Sequence, residues 1–370
     1  MKTFSNLIQE VQNTGQCNQC GGCVSFCSSV NYGALGIDEN GRPAYIDQDK
    51  CIECGICYMI CPSRDMFEHE TRHLVGWSAP MGRVLDISVA CAHDKDVRTR
   101  GSDGGVVTAL LLHLLDTGRI DGAIVTRRIG LFQQQPHLAR THQEIWEAAG
   151  SYLDASSGMS LLGNRYSTFS PSIQAFKPLT REGLRRIAFV GVPCQIKALR
   201  KMQVLKLKPS ETVHIALGLF CGGNFDFGEK ERNRLEKIGG FSWDSVADIN
   251  LRDVLQVSLK DGSTLRIPVD ELQFMLRPAC KYCQDYTAEY ADLSFGGAGA
   301  PEKWTTVFVR TPVGRAAFSD AKGIALREFR IEDNPQFAGE TFAQVQAHST
   351  IKKQQSAEMR SHSDKVIRLF

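Results

Sequence analysis

Eight cysteines near the N-terminus lie in two runs with identical spacing. Each run has the form Cys-x2-Cys-x2-Cys-x3-Cys, and the members are Cys17, Cys20, Cys23 and Cys27, then Cys51, Cys54, Cys57 and Cys61. Pro62 follows the second run, whereas Ser28 stands at the matching position of the first. This spacing is typical of two [4Fe–4S] clusters, in which the fourth cysteine of each run binds the other cluster. We therefore predict one cluster on Cys17, Cys20, Cys23 and Cys61, and the other on Cys51, Cys54, Cys57 and Cys27.

Two alternatives for these runs are a pair of zinc ribbons and a disulfide framework. Zinc sites usually take their ligands as two separated pairs, which the dense runs fit badly. Thirteen cysteines in a chain without an apolar secretion signal indicate metal ligands rather than disulfides. Residues 1–75 are therefore predicted to form a bacterial-type 2[4Fe–4S] ferredoxin domain, which carries single electrons.

Four further cysteines could form a third site. Cys194 and Cys221 each follow a predicted buried strand, and Cys280 and Cys283 form a C-x2-C pair. Because the carboxyl ends of parallel strands meet at one edge of a sheet, a loop folded over that edge could complete a four-thiolate site. The spacing fits a third [4Fe–4S] cluster, a structural zinc site or a redox-active dithiol at Cys280 and Cys283. Cys91 lies in an apolar run and is predicted to be a buried structural thiol.

A glycine-rich segment, Gly101-Ser102-Asp103-Gly104-Gly105, precedes a predicted helix. Glycines allow close backbone approach, and free N–H groups at a helix start favour an anion such as a cofactor pyrophosphate. The segment matches neither the dinucleotide fingerprint nor the P-loop, so a glycine-rich loop that merely caps its helix is the alternative.

Residues 69–73 match the H-E-x-x-H motif of zinc peptidases through His69, Glu70 and His73. The flanking residues are charged, and no apolar helix surrounds the motif as a zincin requires. We interpret the stretch as a solvated surface segment.

The remaining pattern predicts the elements that position these residues. Residues 76–84 read as a linker, residues 85–325 as an α/β (α+β) domain, and residues 326–370 as a C-terminal helical tail. Within the domain, apolar runs predict strands at 85–92, 120–126, 186–191 and 212–220, and alternating strands between 240 and 270. Helices are predicted at 106–118 and 192–202, with a loop over 98–105. Strands alternating with helices are typical of an α/β fold.

Composition restricts the function classes. The 370 residues are 42% hydrophobic and 23% charged with a net charge of +2, which fits an ordinary globular protein and gives no indication of nucleic-acid binding. No apolar stretch approaches the roughly 20 residues needed to span a bilayer. We therefore expect a cytoplasmic location, or attachment to the cytoplasmic membrane face through a partner.

Five segments together resemble a known family. They are GSDGGVVTALL (101–111), GRIDGAIVTR (118–127), VGVPCQIKALR (190–200), GLFC (218–221) and CKYCQDYTAEYADLSFGGAGAPEKWTTVFVRT (280–311). In this order, and with the cysteine runs before them, they resemble the family of coenzyme F420 hydrogenase/dehydrogenase beta subunits. The likeness is greatest to the ferredoxin-containing electron-input subunits of F420H2 dehydrogenases.

The resemblance implies a flavoprotein domain with one FAD and a third [4Fe–4S] cluster bound by Cys194, Cys221, Cys280 and Cys283. It also implies FAD contacts from Gly101, Ser102, Asp103, Gly104, Gly105 and Thr108, and from Arg165 and Tyr166. The implied activity is hydride exchange between coenzyme F420 and FAD in either direction, followed by single-electron transfer through three clusters to a partner. Direct hydride transfer needs no acid–base residue, and we assign none.

The partner and the F420 contacts stay open at this point. The partner could be ferredoxin, a heterodisulfide-reductase-like complex or a membrane dehydrogenase. Arg127, Arg165, Lys197 and Arg200 could hold the anionic tail of F420 or could be solvated surface charges. The alternative function is an F420-independent electron relay between ferredoxin and a larger complex.

Overall fold

The computed structural model describes residues 1–30, 33–38, 42–130, 133–150, 155–156, 184–251, 254–329 and 335–367. The α-helices are Phe4–Leu7, Gly22–Val30, Ile56–Met59, Glu68–Val75, Lys95–Arg100, Val106–Asp116, His142–Glu147, Pro193–Val204, Lys208–Glu211, Glu229–Gly239, Pro312–Ala321 and Pro335–Ile367. The strands are β1 (Leu35–Ile37), β2 (Pro43–Tyr45), β3 (Asp86–Ala92), β4 (Gly122–Gly130), β5 (Gln133–Ala139), β6 (Ala155–Ser156), β7 (Ile187–Gly191), β8 (Val213–Leu219), β9 (Val246–Leu251), β10 (Val254–Leu259), β11 (Thr264–Pro268), β12 (Leu293–Gly296), β13 (Thr305–Val309) and β14 (Leu326–Glu328).

A nine-stranded sheet with the order β14-β3-β13-β12-β8-β7-β4-β5-β6 forms the centre of the fold. Its middle strands β12, β8, β7 and β4 are parallel, and β13 and β5 run antiparallel on either side. Strand β3 is antiparallel to β13 and therefore runs with the middle strands. The carboxyl ends of β3, β12, β8, β7 and β4 consequently lie at one edge, which we call the carboxyl edge.

Both faces of this sheet are covered, which explains why β7 and β12 are almost entirely buried apolar runs. One apolar core includes the helices Val106–Asp116 and Pro312–Ala321, and the other includes the helix Pro193–Val204. The second core also contains Cys20, Phe26 and Ile60 from the N-terminal region. The ferredoxin module, residues 1–75, thus packs directly on the helix that follows β7.

The predicted strands and helices of the α/β domain are confirmed, with one local difference. Residues 98–105 were predicted to be a loop, but the helix Lys95–Arg100 occupies its first part. Asp94 explains the helix, because its carboxylate accepts hydrogen bonds from the backbone N–H groups of Asp96 and Val97. In the segment 76–84, Met81 is buried and Trp77 Nε1 donates to Glu289 at 2.7 Å, so this stretch is packed against the domain.

A smaller antiparallel sheet, β11-β10-β9, lies with the helix Glu229–Gly239 around its own apolar core. A turn at Asp261-Gly262 joins β10 to β11, and Gly262 has the left-handed φ of +88° that such a turn requires. The helix Pro335–Ile367, which we call the C-terminal helix, lies within the predicted helical tail 326–370, whereas the first residues of that tail form strand β14 of the large sheet. Within the described ranges, no helix is long and apolar enough to cross a membrane.

Candidate metal and cofactor sites

The first thiol set consists of Cys17, Cys20, Cys23 and Cys61. These cysteines line one cavity, which Cys57 of the second run also borders, with about 440 Å³ of empty space that is partly open to solvent. Left-handed backbone at Gln19 (φ 51°) and Gly21 (φ 81°) curls the chain between these cysteines. Burial raises the pKa of Cys17 to about 11 and that of Cys20 to about 12, and the nearby Cys61 raises both. Four thiolates in this space need a cationic metal centre to keep them deprotonated, so the cavity fits the predicted cluster.

The second thiol set consists of Cys51, Cys54, Cys57 and Cys27. Burial raises the pKa of Cys57 to about 12, and Cys54, Cys51 and Cys27 add to the rise because they lie nearby. Cys27 therefore sits with the second run, as the exchange of fourth ligands predicts. Next to Cys51 of this set, Ile52 is 57% exposed.

The third thiol set consists of Cys194, Cys221, Cys280 and Cys283. Cys194 lies in the first turn of the helix after β7, and Cys221 follows β8, so both are at the carboxyl edge as predicted. Burial raises the pKa of Cys194 far above its usual value, and Cys20, Cys283, Cys221 and Cys280 raise it further. The fold thus brings together the four cysteines that spacing alone left open between a cluster, zinc and a dithiol.

Two contacts with sulfur in the third set are typical of iron–sulfur ligation. The backbone N–H of Asn224 donates to Cys280 Sγ at 3.2 Å, and its side-chain amide donates to Cys221 Sγ at 3.7 Å. Such hydrogen bonds orient metal-binding thiolates and tune their potential. In the described part of the chain, no three His, Cys, Asp or Glu side chains are close enough to chelate a single metal ion. Each thiolate of a [4Fe–4S] cluster binds a different iron, so its ligands stand further apart.

The glycine-rich segment 101–105 also lies at the carboxyl edge, after β3. A Cβ on Gly104 would lie 2.4 Å from the Lys303 carbonyl oxygen, and one on Gly105 would lie 2.5 Å from that of Val97. The glycines are therefore required by the packing of the loop itself. The helix Val106–Asp116 begins after Gly105, so its free N–H groups and Thr108 in its first turn lie at the same edge. The predicted FAD contacts at 101–105 and Thr108 stay predictions with this geometry behind them.

The predicted cationic contacts fare differently. Arg200 is buried and pairs with Asp292 at 2.8 Å, and Lys197 pairs with Glu68 at 2.7 Å. The burial of Arg200 contradicts both of its predicted roles, as a solvated charge and as an F420 contact. Lys197 is half-buried and ion-paired, so it is not a solvated charge, and its F420 contact stays a prediction. Arg127, which lies on β4, forms an ion pair with Glu147 at 3.3 Å. The predicted contact of Arg127 with F420 stays a prediction. Arg165 and Tyr166 lie outside the described residues.

The H-E-x-x-H stretch is exposed, as predicted, although it forms the short helix Glu68–Val75. His69, Glu70 and His73 point to solvent, while Thr71 and Val75 are buried. The side of this helix that faces the larger domain carries Glu68, which accepts a hydrogen bond from the Tyr290 hydroxyl. The helix therefore docks the ferredoxin module on the larger domain.

Sequence reasoning missed the residues that the C-terminal helix brings to the carboxyl edge. Lys352 Nζ donates to the carbonyl oxygen of Cys221 at 2.5 Å and to that of Asp285 at 2.9 Å. Ser356 Oγ donates to the Tyr282 carbonyl at 2.7 Å, between Cys280 and Cys283. The available signal was the three-to-four-residue spacing of the buried positions, which are Thr341, Val345, Ser349, Lys352 and Ser356.

Three thiol sets in a ferredoxin module and an adjoining α/β domain are the architecture of an iron–sulfur electron-transfer protein. Residues 9–63 match a 4Fe-4S dicluster domain. Residues 87–163 match the N-terminal domain of the coenzyme F420 hydrogenase/dehydrogenase beta subunit, and residues 184–332 match its C-terminal domain. The chain belongs to the family of coenzyme F420 hydrogenase/dehydrogenase beta subunits.

Individual relatives agree with this assignment. The beta subunit of the coenzyme F420 hydrogenase of Methanosarcina barkeri is 32% identical over 247 residues, which cover 65% of this chain and 80% of the relative. One of the subunits of the F420H2 dehydrogenase of Methanosarcina mazei is 28% identical, over 84% of each chain. A chain of the F420-reducing [NiFe] hydrogenase complex from Methanosarcina barkeri superposes with a TM-score of 0.60 at 28% identity, covering 73% of this chain and 93% of that one.

Proposed function

We propose that this chain is the electron-input subunit of an F420-dependent oxidoreductase. Coenzyme F420 and FAD exchange a hydride, and three [4Fe–4S] clusters carry single electrons between FAD and a partner protein or complex. The observation that supports this most is the separation of twelve cysteines into three neighbouring sets of four. When bound, a flavin supplies the conversion between a hydride and single electrons, which iron–sulfur clusters carry.

The chain's own residues have positioning roles. The carboxyl edge holds both the third thiol set and the start of the helix Val106–Asp116, whose free N–H groups suit a pyrophosphate. A flavin held by segment 101–105 and Thr108 therefore lies on the same side of the sheet as the third cluster. This placement keeps the flavin and the first acceptor of its electrons within one domain.

The electrostatic neighbours of the cysteines support one order for the route. Cys20 of the first set acts on Cys194 of the third, and Cys57 of the second set acts on Cys23 of the first. The order from the flavin is thus third set, first set, second set. The exposed Ile52 and Glu53 beside the second set make that end of the route the point of contact with a partner.

Anaerobic mixing of the cluster- and FAD-loaded protein with F420H2 tests this function. We expect rapid loss of the oxidised flavin absorbance, followed by reduction of a viologen added as acceptor. Reduction by ferredoxin without any reaction with F420H2 would refute the F420 step and favour the electron-relay function.

A Cys54→Ser variant tests the order of the route. It should lose only the second cluster, so F420H2 should still reduce the flavin and the other two clusters while electron delivery to a protein acceptor slows. Failure of the third cluster to become reduced in this variant would contradict the order.

A further inference from the structure

A lysine side chain is buried against the third thiol set. Lys352 is 7% exposed, and its ammonium donates only to the carbonyl oxygens of Cys221 and Asp285. It forms no ion pair with a carboxylate within the described part of the chain. A buried ammonium that no carboxylate contacts directly is costly, so negative charge nearby is expected. Cys283, Cys221 and Cys280 are the groups whose negative charge acts on it most strongly, and the carboxylate of Asp285 adds to their effect.

We propose that Lys352 is a positioning residue that raises the reduction potential of the third cluster through its fixed positive charge. The proposal rests on the proposed function to the extent that the third thiol set must bind a [4Fe–4S] cluster. One-electron reduction adds one negative charge to the cluster and its four thiolates. A buried positive charge beside them stabilises the reduced form more than the oxidised form.

The residues that hold Lys352 in place support this role. Ser356, one turn further along the same helix, donates to the Tyr282 carbonyl in the loop that carries Cys280 and Cys283. Thr341 Oγ1, three turns earlier, donates to the Gly299 carbonyl at 2.8 Å. The helix is thus fixed at both ends of the site, which keeps the ammonium at a constant position.

This contribution comes from outside the part of the chain that matches the family, which ends at residue 332. A second buried lysine makes the same type of contact with the first thiol set, since Lys201 Nζ donates to the Cys61 carbonyl at 2.8 Å. Lys352 and Lys201 come from different helices, so the charge beside the third cluster can be changed without disturbing the charge beside the first cluster.

Potentiometric titration of the loaded full-length chain, followed by electron paramagnetic resonance, tests the proposal. The signal of the third cluster is the one that a Cys283→Ser variant lacks. Lys352→Gln keeps a hydrogen-bond donor and removes the charge, and we expect it to lower the equilibrium constant for reduction of the third cluster about tenfold. For one electron this corresponds to a potential about 59 mV more negative. Lys352→Arg should stay within about twofold of the wild type.

Two controls separate charge from helix docking. Lys237→Gln removes an exposed charge from the helix Glu229–Gly239 and should leave the third-cluster potential unchanged. Ser356→Ala removes a docking hydrogen bond without changing the charge and should shift the third-cluster potential far less than Lys352→Gln does. A shift in Ser356→Ala equal to that in Lys352→Gln would overturn the electrostatic role.

The remaining outcomes are also decisive. An unshifted potential in fully loaded Lys352→Gln overturns the inference. If Lys352→Gln binds no third cluster, normal loading of Lys352→Arg supports the need for the charge, and failed loading of both variants counts against it. Absence of any third-cluster signal in the wild type would instead refute the cluster assignment within the proposed function.

Discussion

Replacing Glu68 with glutamine should loosen the ferredoxin module from the α/β domain. The Glu68 carboxylate lies 2.7 Å from Lys197 Nζ and 3.0 Å from Arg72 Nε, and it accepts a hydrogen bond from the Tyr290 hydroxyl. Lys197 and Tyr290 belong to the larger domain, so these contacts join the two parts. Glutamine keeps the shape of the side chain and removes its charge.

The pKa of Glu68 gives the magnitude. Burial raises this pKa, but Lys197, Tyr290 and Arg72 outweigh burial and hold it at about 2, against an ordinary value of 4.5. Such a difference corresponds to at most about 3 kcal/mol at neutral pH. Because the side chain is 19% exposed, solvent screening reduces the expected loss to about 2 kcal/mol. The stabilisation is complete above about pH 4.5 and is lost as the pH falls towards 2.

The assay is urea unfolding of the loaded protein under anaerobic conditions, followed through the iron–sulfur absorbance, together with limited proteolysis at residues 76–84. Glu68→Gln should lower the unfolding midpoint and speed cleavage. Glu70→Gln changes an exposed glutamate on the same helix and serves as the matched control. Equal midpoints for the two variants would refute the reasoning, as would additive effects of Glu68→Gln and Lys197→Met.

Three further substitutions test other parts of the site. Cys283→Ser should cost about four iron atoms per chain, and unchanged iron content would contradict the four-cysteine assignment. Arg200→Met leaves Asp292 buried without its cation and should lower the free energy of unfolding by about 3–5 kcal/mol in chemical denaturation. A stable Arg200→Met variant with weakened F420 binding would instead indicate that Arg200 contacts F420. Gly104→Ala places a Cβ 2.4 Å from the Lys303 carbonyl at a φ of +89°, so it should lower the melting temperature and release flavin, detected by its fluorescence.

The two N-terminal cysteine sets were predictable because ligand spacing within a run is a local property of the sequence. A run such as Cys51-x2-Cys54-x2-Cys57 can wrap one cluster whatever surrounds it, and the matched runs specify the exchange of Cys27 and Cys61. The strands of the large sheet were predictable for a related reason. Strands covered on both faces are continuous apolar runs, and β7 and the part of β8 that follows the exposed His214 are of this kind.

The C-terminal helix was predicted, but its role was not. Over residues 336–361 of this helix, only Val345 is a buried large apolar side chain, so hydrophobic periodicity gives almost no signal. Lys352 is buried because of thiols and carbonyls elsewhere in the chain, and no local pattern reveals them. The same holds for Lys197 and Arg200, whose charges are visible in the sequence while their partners Glu68 and Asp292 are not.

The position of the C-terminal helix over the third thiol set has a consequence for the maturation of the protein. The ribosome produces Cys194, Cys221, Cys280 and Cys283 before it produces the helix that contacts their loops. The ferredoxin module is made first and can fold and receive its clusters while synthesis continues. Iron delivery to the third set is easiest before the helix docks, because later delivery would require the contacts of Thr341, Lys352 and Ser356 to break. Assembly of the three proposed clusters therefore follows the order of synthesis, and docking of the helix is its last step.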